Sequence, residues 1–165
     1  MRADQVIAAL EESLEAPPTG VDFDVLKGHI GFAAHRALLV LKREFSADVP
    51  VRPKVFNALV LIGANPGITQ SELAGALILD KGTAAHLLRD LEERGWIERK
   101  NRLDDRRWKG VYLSPSGVQA LASLKEDVQR LGQRIHVLYT EDERRQLLEM
   151  LNRIFDHFGS GQDQT

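Results

Sequence analysis

The chain has 165 residues, 43% of them hydrophobic, and a formal net charge of −2, which suits one domain, or one domain with a dimerisation layer. It contains no cysteine, which excludes disulfides, thiolate zinc sites and thiol redox sensing. No run of about 18 apolar residues occurs, and acids interrupt the apolar pattern of the first segment, so neither a membrane span nor a secretory signal is expected and the cytoplasm follows, with no membrane partner.

Val6, Ile7, Leu10 and Leu14 recur at helical spacing before Pro17 and Pro18, predicting a short helix over residues 3–15 within an N-terminal extension, residues 1–24. From Asp24, read as an N-cap, a long helix runs through VLKGHIGFAAHRALLVLKREF with apolar residues on most faces. One small domain cannot cover them all, so burial against a second subunit is expected. Pro53 opens the next helix and Asn65-Pro66-Gly67 ends it. Thr69 followed by Glu72 spells a capping box. Asp80 caps KGTAAHLLRDLEER, whose stripe of Ala84, Leu87, Leu88 and Leu91 ends at Gly95. Two short helices across a brief turn make a helix-turn-helix pattern.

Two strand-like pieces, WIERK and WKGVYL, flank NRLDDRR and predict a hairpin with a charged tip. Ser114 and Pro115 start a helix with Val118, Leu121, Leu124, Val128, Leu131, Ile135 and Leu138 at helical spacing. Thr140 and Glu143 box the last helix, which carries Leu147, Leu148, Leu151, Ile154, Phe155 and Phe158. The fold class is therefore mainly α with a small β-hairpin. Residues 51–114 form a winged helix-turn-helix, and residues 25–50 and 115–160 form a helical dimerisation region.

The sign of charge is uneven along this frame. Residues 1–24 carry a net of −5, whereas residues 94–109 carry +4. A basic two-stranded wing directly after a helix-turn-helix suits a second helix in the major groove with the wing beside it. Leu91, Glu92, Gly95, Ile97, Arg99, Asp105, Arg106, Arg107, Leu113 and Gly117 fall in register on the pattern LExxGLIxR, DRR, LTxxG. That stretch resembles the signature of the MarR family of winged-helix transcription regulators, and the resemblance covers roughly residues 25–158. Two departures stand out. Arg102-Leu103 occupies the place where the family often writes Asp-Pro, and Ala85-His86 the place of a frequent Thr-Arg pair, so operator preference is not carried over.

In the recognition helix, Lys81, Gly82, Thr83, His86 and Arg89 occupy the first turns, opposite much of the leucine stripe. Gly82 allows close backbone approach, Thr83 suits a base edge or a thymine methyl, His86 donates to an acceptor, and Lys81 with the helix start favours phosphate. On the wing, Arg106 or Arg107 suits a narrow minor groove and Asp105 orients a guanidinium, with Arg102 and Lys109 completing the DNA-binding set. The competing reading is a solvated wing paired with its own Asp104, Asp105 and Glu98.

On the first long helix, His29, Phe32, Arg36 and Arg43 share a face. Arg36 there either walls a pocket for a carboxylate or a phosphorylated ligand, pairs with an acid of a second subunit, or is solvated. The resemblance implies an effector pocket for small aromatic anions, and GHIGFAAHRALL resembles the branch controlling aromatic-acid catabolism, some of whose members respond to acyl-CoA thioesters. The partners expected are double-stranded DNA with a palindromic operator, a second copy of the chain, and a small aromatic acid or acyl-CoA effector, with release from DNA as the expected response. No catalytic residue, metal ligand or cofactor motif is recognised. A winged-helix protein-docking module is the alternative of another class; it would not need Arg102, Arg106, Arg107 and Lys109 together.

Overall fold

The computed structural model describes residues 20–101 and 109–159. The helix expected over residues 3–15 lies outside them. Among the described residues are six α-helices and one antiparallel hairpin, and the chain divides into two compact units, residues 1–43 and 44–165.

In the first unit, Asp24–Gly28 is a single 3₁₀ turn, His29 is extended, and α1 (Ile30–Asp48) starts only after it, continuing past the unit boundary. The long helix expected from Asp24 is thereby corrected. Asp24 itself sits at φ 46, in the left-handed region and not in the extended conformation of an N-cap. The true start is capped by an imidazole: the Phe32 amide donates to His29 Nδ1 at 3.1 Å, satisfying one of the orphan donors of the first turn. None of the 19 residues of α1 is buried.

In the second unit, α2 (Pro53–Ala64), α3 (Gln70–Ala76) and α4 (Lys81–Glu93) pack with β1 (Ile97–Asn101), β2 (Lys109–Leu113) and α5 (Pro115–His136). Pro53 stands in the first turn of α2, as its fixed φ favours. The core joins Val55, Leu59 and Ile62 of α2 with Leu73, Leu88, Leu91, Val111 and Leu121. Each fully buried Leu or Ile stabilises by roughly 1.5–3 kcal/mol. Both capping boxes form as the spacing predicts: the amide of Thr69 donates to Glu72 and that of Glu72 to Thr69, and the same exchange links Thr140 and Glu143.

The end of α4 is a Schellman motif. The Trp96 amide reaches the Leu91 carbonyl at 3.0 Å and the Gly95 amide the Glu92 carbonyl at 2.9 Å, with Gly95 at φ 70. From there β1 pairs antiparallel with β2, from Ile97 opposite Leu113 to Asn101 opposite Lys109. The wing base is also tied to the α2–α3 turn, because the Gly67 amide donates to Val111 O and the Val111 amide to Ile68 O, each at 2.9 Å. Gly110 passes so close to that turn that a Cβ there would lie 2.8 Å from Gly67 Cα.

Ser114 then starts α5 by accepting from the Gly117 amide at 3.0 Å while its hydroxyl donates to Gly95 O at 2.5 Å. Arg134, near the end of α5, spans Glu44 at 3.0 Å and Asp48 at 2.5 Å on the last turns of α1. Leu138, expected within this helix, falls in the turn after it. α6 (Glu141–Phe158) buries none of its residues. No helix among the described residues is long and apolar enough to cross a membrane.

The turn between α3 and α4 stores strain. Ile78, exposed and β-branched, lies at φ 52, a region that costs an L-residue roughly 1–2 kcal/mol. Ile78→Gly is therefore expected to raise unfolding stability by about 1 kcal/mol, read from urea denaturation; an unchanged or lower midpoint would contradict the assignment of strain.

Candidate nucleic-acid interface

One face of α4 is core and the other is free. Ala84, Leu87, Leu88 and Leu91 are buried, and the opposite side presents Lys81, Gly82, His86 and Arg89, all exposed. The spacing of Gly82, His86 and Arg89 by four and three residues keeps them on one face. Among the described residues no ion pair engages Lys81, His86 or Arg89. Three donors on a rigid helix, backed by leucines that fix its orientation, form a surface able to meet phosphates and acceptor edges of bases.

The start of α4 narrows what Thr83 can do. Asp80 Oδ1 accepts from the Thr83 amide at 2.8 Å and Oδ2 from the Thr83 hydroxyl at 2.6 Å. That hydroxyl proton is committed to the cap, so Thr83 retains its methyl group and oxygen lone pairs for a partner, not a donor. A Cβ on Gly82 would lie 3.2 Å from Asp80 Oδ1, which gives this glycine a local structural reason.

The two Thr83 bonds, the hydroxyl first and the amide second, hold the Asp80 carboxyl below the ordinary aspartate value. A depressed folded-state pKa means that the stabilisation is present above the unfolded aspartate pKa and is lost as pH falls through the folded one. Asp80→Ala should therefore lower the melting temperature at neutral pH, and the difference from the unsubstituted chain should shrink in acid below that range. A difference that persists undiminished at the lowest pH would contradict the cap assignment.

On the wing, Arg99 pairs with Glu92 at 3.3 Å and Lys100 with Glu98 at 2.6 Å, so these two cations are partly neutralised by the protein's own acids. Lys109, opposite Asn101, is exposed. Arg102, Asp105, Arg106 and Arg107 lie outside the described residues.

The residues expected to meet an effector stand in the other unit. The Arg36 guanidinium lies 4.9 Å from the Phe23 ring centre and 5.7 Å from that of Phe32, and the two rings meet edge to face at 5.5 Å. Phe32 and Arg36 are thus brought together as expected. The sequence reading missed Phe23, because the 3₁₀ turn and the extended His29 return it to α1 in a way helical spacing does not encode. His29 has its Nδ1 engaged in the cap, and Arg43 sits about two turns beyond Arg36 along α1.

Comparison with known proteins agrees with this architecture. A model of the MarR family matches residues 53–109. The chain is 32% identical over 134 residues to a transcriptional regulatory protein for the hcr operon of Thauera aromatica, spanning 79% of this chain and 81% of that protein. Among solved structures, the transcriptional repressor CouR bound to a 23-mer DNA duplex is 33% identical, with 81% of this chain and 97% of that one covered and a TM-score of 0.76. CouR bound to p-coumaroyl-CoA is 31% identical, covering 84% and 99%, also with a TM-score of 0.76. A helix-turn-helix with an outward cationic face, a wing clamped to it and this identity over most of the chain lead to one conclusion: the chain belongs to the MarR family of winged-helix transcriptional regulators.

Proposed function

We propose that this regulator is a cytoplasmic homodimeric repressor that binds a palindromic double-stranded operator and is released by a small aromatic acid or its CoA thioester. Residues 51–114 would contact DNA and residues 25–50 with 115–160 would join the two copies. The observation that carries the reading is the uncovered apolar surface of α6, where Leu147, Leu148, Leu151, Ile154, Phe155 and Phe158 are all exposed. Four consecutive exposed apolar residues of α1, Leu38 to Leu41, ask for the same cover. A second copy related by a two-fold axis supplies it and doubles the α4 surface. Half-sites spaced by one helical turn, about 34–36 Å, follow from that symmetry.

On DNA, Lys81, His86 and Arg89 would face the major groove with Gly82 and the Thr83 methyl, while Arg102, Arg106, Arg107 and Lys109 would reach the flanking backbone and minor groove, Asp105 orienting a guanidinium. For the effector, Arg36 over two aromatic rings is the supporting geometry: an aromatic acyl group can add to the ring pair while the guanidinium takes a carboxylate or a phosphate. The CouR complexes with DNA and with p-coumaroyl-CoA support both halves of the proposal by analogy. Effector binding would favour a spacing of the paired α4 helices that no longer fits the operator.

The test is selection of bound fragments from random duplex DNA, followed by titration of the complex with aromatic acids and their CoA thioesters. A palindromic consensus whose affinity falls at least tenfold with one of these compounds is expected. A non-palindromic consensus, or an affinity that none of them changes, would overturn the reading.

A further inference from the structure

Beside α4, on the flank that carries Asp90 and Arg94, lies an open cleft of about 610 Å³. Val49, Val51, Val55 and Leu87 line its apolar part, and its polar rim is Arg52 and Lys54 at the start of α2 with His86 and Asp90 of α4 and Arg94 at its C-cap. The sequence reading did not single out Arg52 or Lys54. Both are exposed, and among the described residues neither makes an ion pair. The one acid in the cleft is already engaged, with Asp90 Oδ1 accepting from Arg94 Nε at 3.1 Å, and the Arg94 guanidinium stacks over Trp96 at 5.1 Å. Three cations against one carboxylate leave the cleft positive by two charges at neutral pH.

Its position decides what anion it meets. An α-helix with its side chains is about 10–12 Å across, and the major groove is about 12 Å wide. A helix seated in that groove therefore has a phosphate backbone along each flank. His86 belongs both to the outward face of α4 and to the rim of the cleft, so the cleft opens where one of those backbones must pass. The start of α2 contributes its two cations from outside the helix-turn-helix pair.

We propose that this cleft is a phosphate-binding site for the operator backbone, with Arg52 and Lys54 as its principal contacts. It rests on the reading of α4 as the groove helix and extends the interface to a segment that carries no base recognition. Phosphate contacts of this kind position the protein and strengthen all duplexes alike. Loss of one contact in each of two subunits should lower the slope of log affinity against log salt by about 1.8.

The experiment compares the full-length chain with Arg52→Gln/Lys54→Gln on the selected operator and on a scrambled duplex, over a series of salt concentrations. The double variant should bind both duplexes more weakly, at least tenfold on the operator at low salt, with the operator-to-scrambled ratio kept and a shallower salt slope. Circular dichroism confirms folding, and the single variant Lys54→Gln should give an intermediate slope. Unchanged affinity and slope in a folded double variant would overturn the proposal while leaving α4 as the groove helix. Failure of the unsubstituted chain to bind any duplex would instead remove the underlying reading. Coenzyme A supplies the other arm as a small phosphate-bearing probe: if the double variant loses coenzyme A binding but keeps the DNA salt slope, the cleft serves a small ligand and the proposal is wrong.

Discussion

Gly117→Ala is expected to destabilise the protein by about 3 kcal/mol, the upper range for forcing atoms into a packed site. A Cβ at this position would stand 1.9 Å from the Trp96 carbonyl oxygen and 2.8 Å from its carbon. Those are backbone atoms, and the oxygen already accepts from the Ser114 amide at 3.0 Å, so no side-chain rotation relieves the clash. The first turn of α5 would have to move away from the start of β1, breaking the join between α4, the wing and α5. Gly132→Ala in the same helix is the control. Among the described residues, only the tip of His136, at 4.0 Å, approaches its Cβ position, and a helix-interior alanine should be about 0.5–1 kcal/mol more stable than glycine. Urea unfolding of both variants checks the contrast. Equal midpoints would show that the Gly117 contact does not hold the join.

The second large effect concerns the apolar face of α6. Leu151→Glu/Phe155→Glu is expected to leave helix content intact, since both side chains are about half exposed, 47% and 48%, in the single chain. In a dimer that buries this face, each new carboxylate would be an uncompensated buried charge, costing about 3–5 kcal/mol. The variant should therefore sediment as a monomer and lose at least about 100-fold in operator affinity, which corresponds to roughly 2.8 kcal/mol. A variant that still sediments as a dimer and still binds would place the contact between copies elsewhere.

What the sequence disclosed is mostly what neighbouring residues decide among themselves. Thr69 with Glu72, Thr140 with Glu143, Asp80 and Ser114 each announce a helix start because capping is a contact across three residues. Gly95 was equally legible as a left-handed stop. His29 is not, because an imidazole cap after a 3₁₀ turn has no such signature, so spacing alone points to Asp24 as the start. Nor could Gly117 disclose the Trp96 carbonyl pressed against it, a contact that exists only once the wing has folded. Of the residues proposed to meet DNA, Lys81, Gly82, His86 and Arg89 emerge exposed on α4 as their spacing implies. Thr83 could not be read fully, since its hydroxyl can serve either the cap or a base and only the geometry assigns it to Asp80. Arg52 and Lys54 carry no such signal, because their approach to α4 is tertiary.

The most direct test of two copies presenting α4 to consecutive grooves is operator affinity as a function of half-site spacing. Inserting about 5 bp, half a helical turn, at the centre of the palindrome turns the second half-site to the opposite face of the duplex. Affinity should then collapse to that of scrambled DNA. Affinity indifferent to the insertion would mean that each chain binds alone, contrary to the paired arrangement.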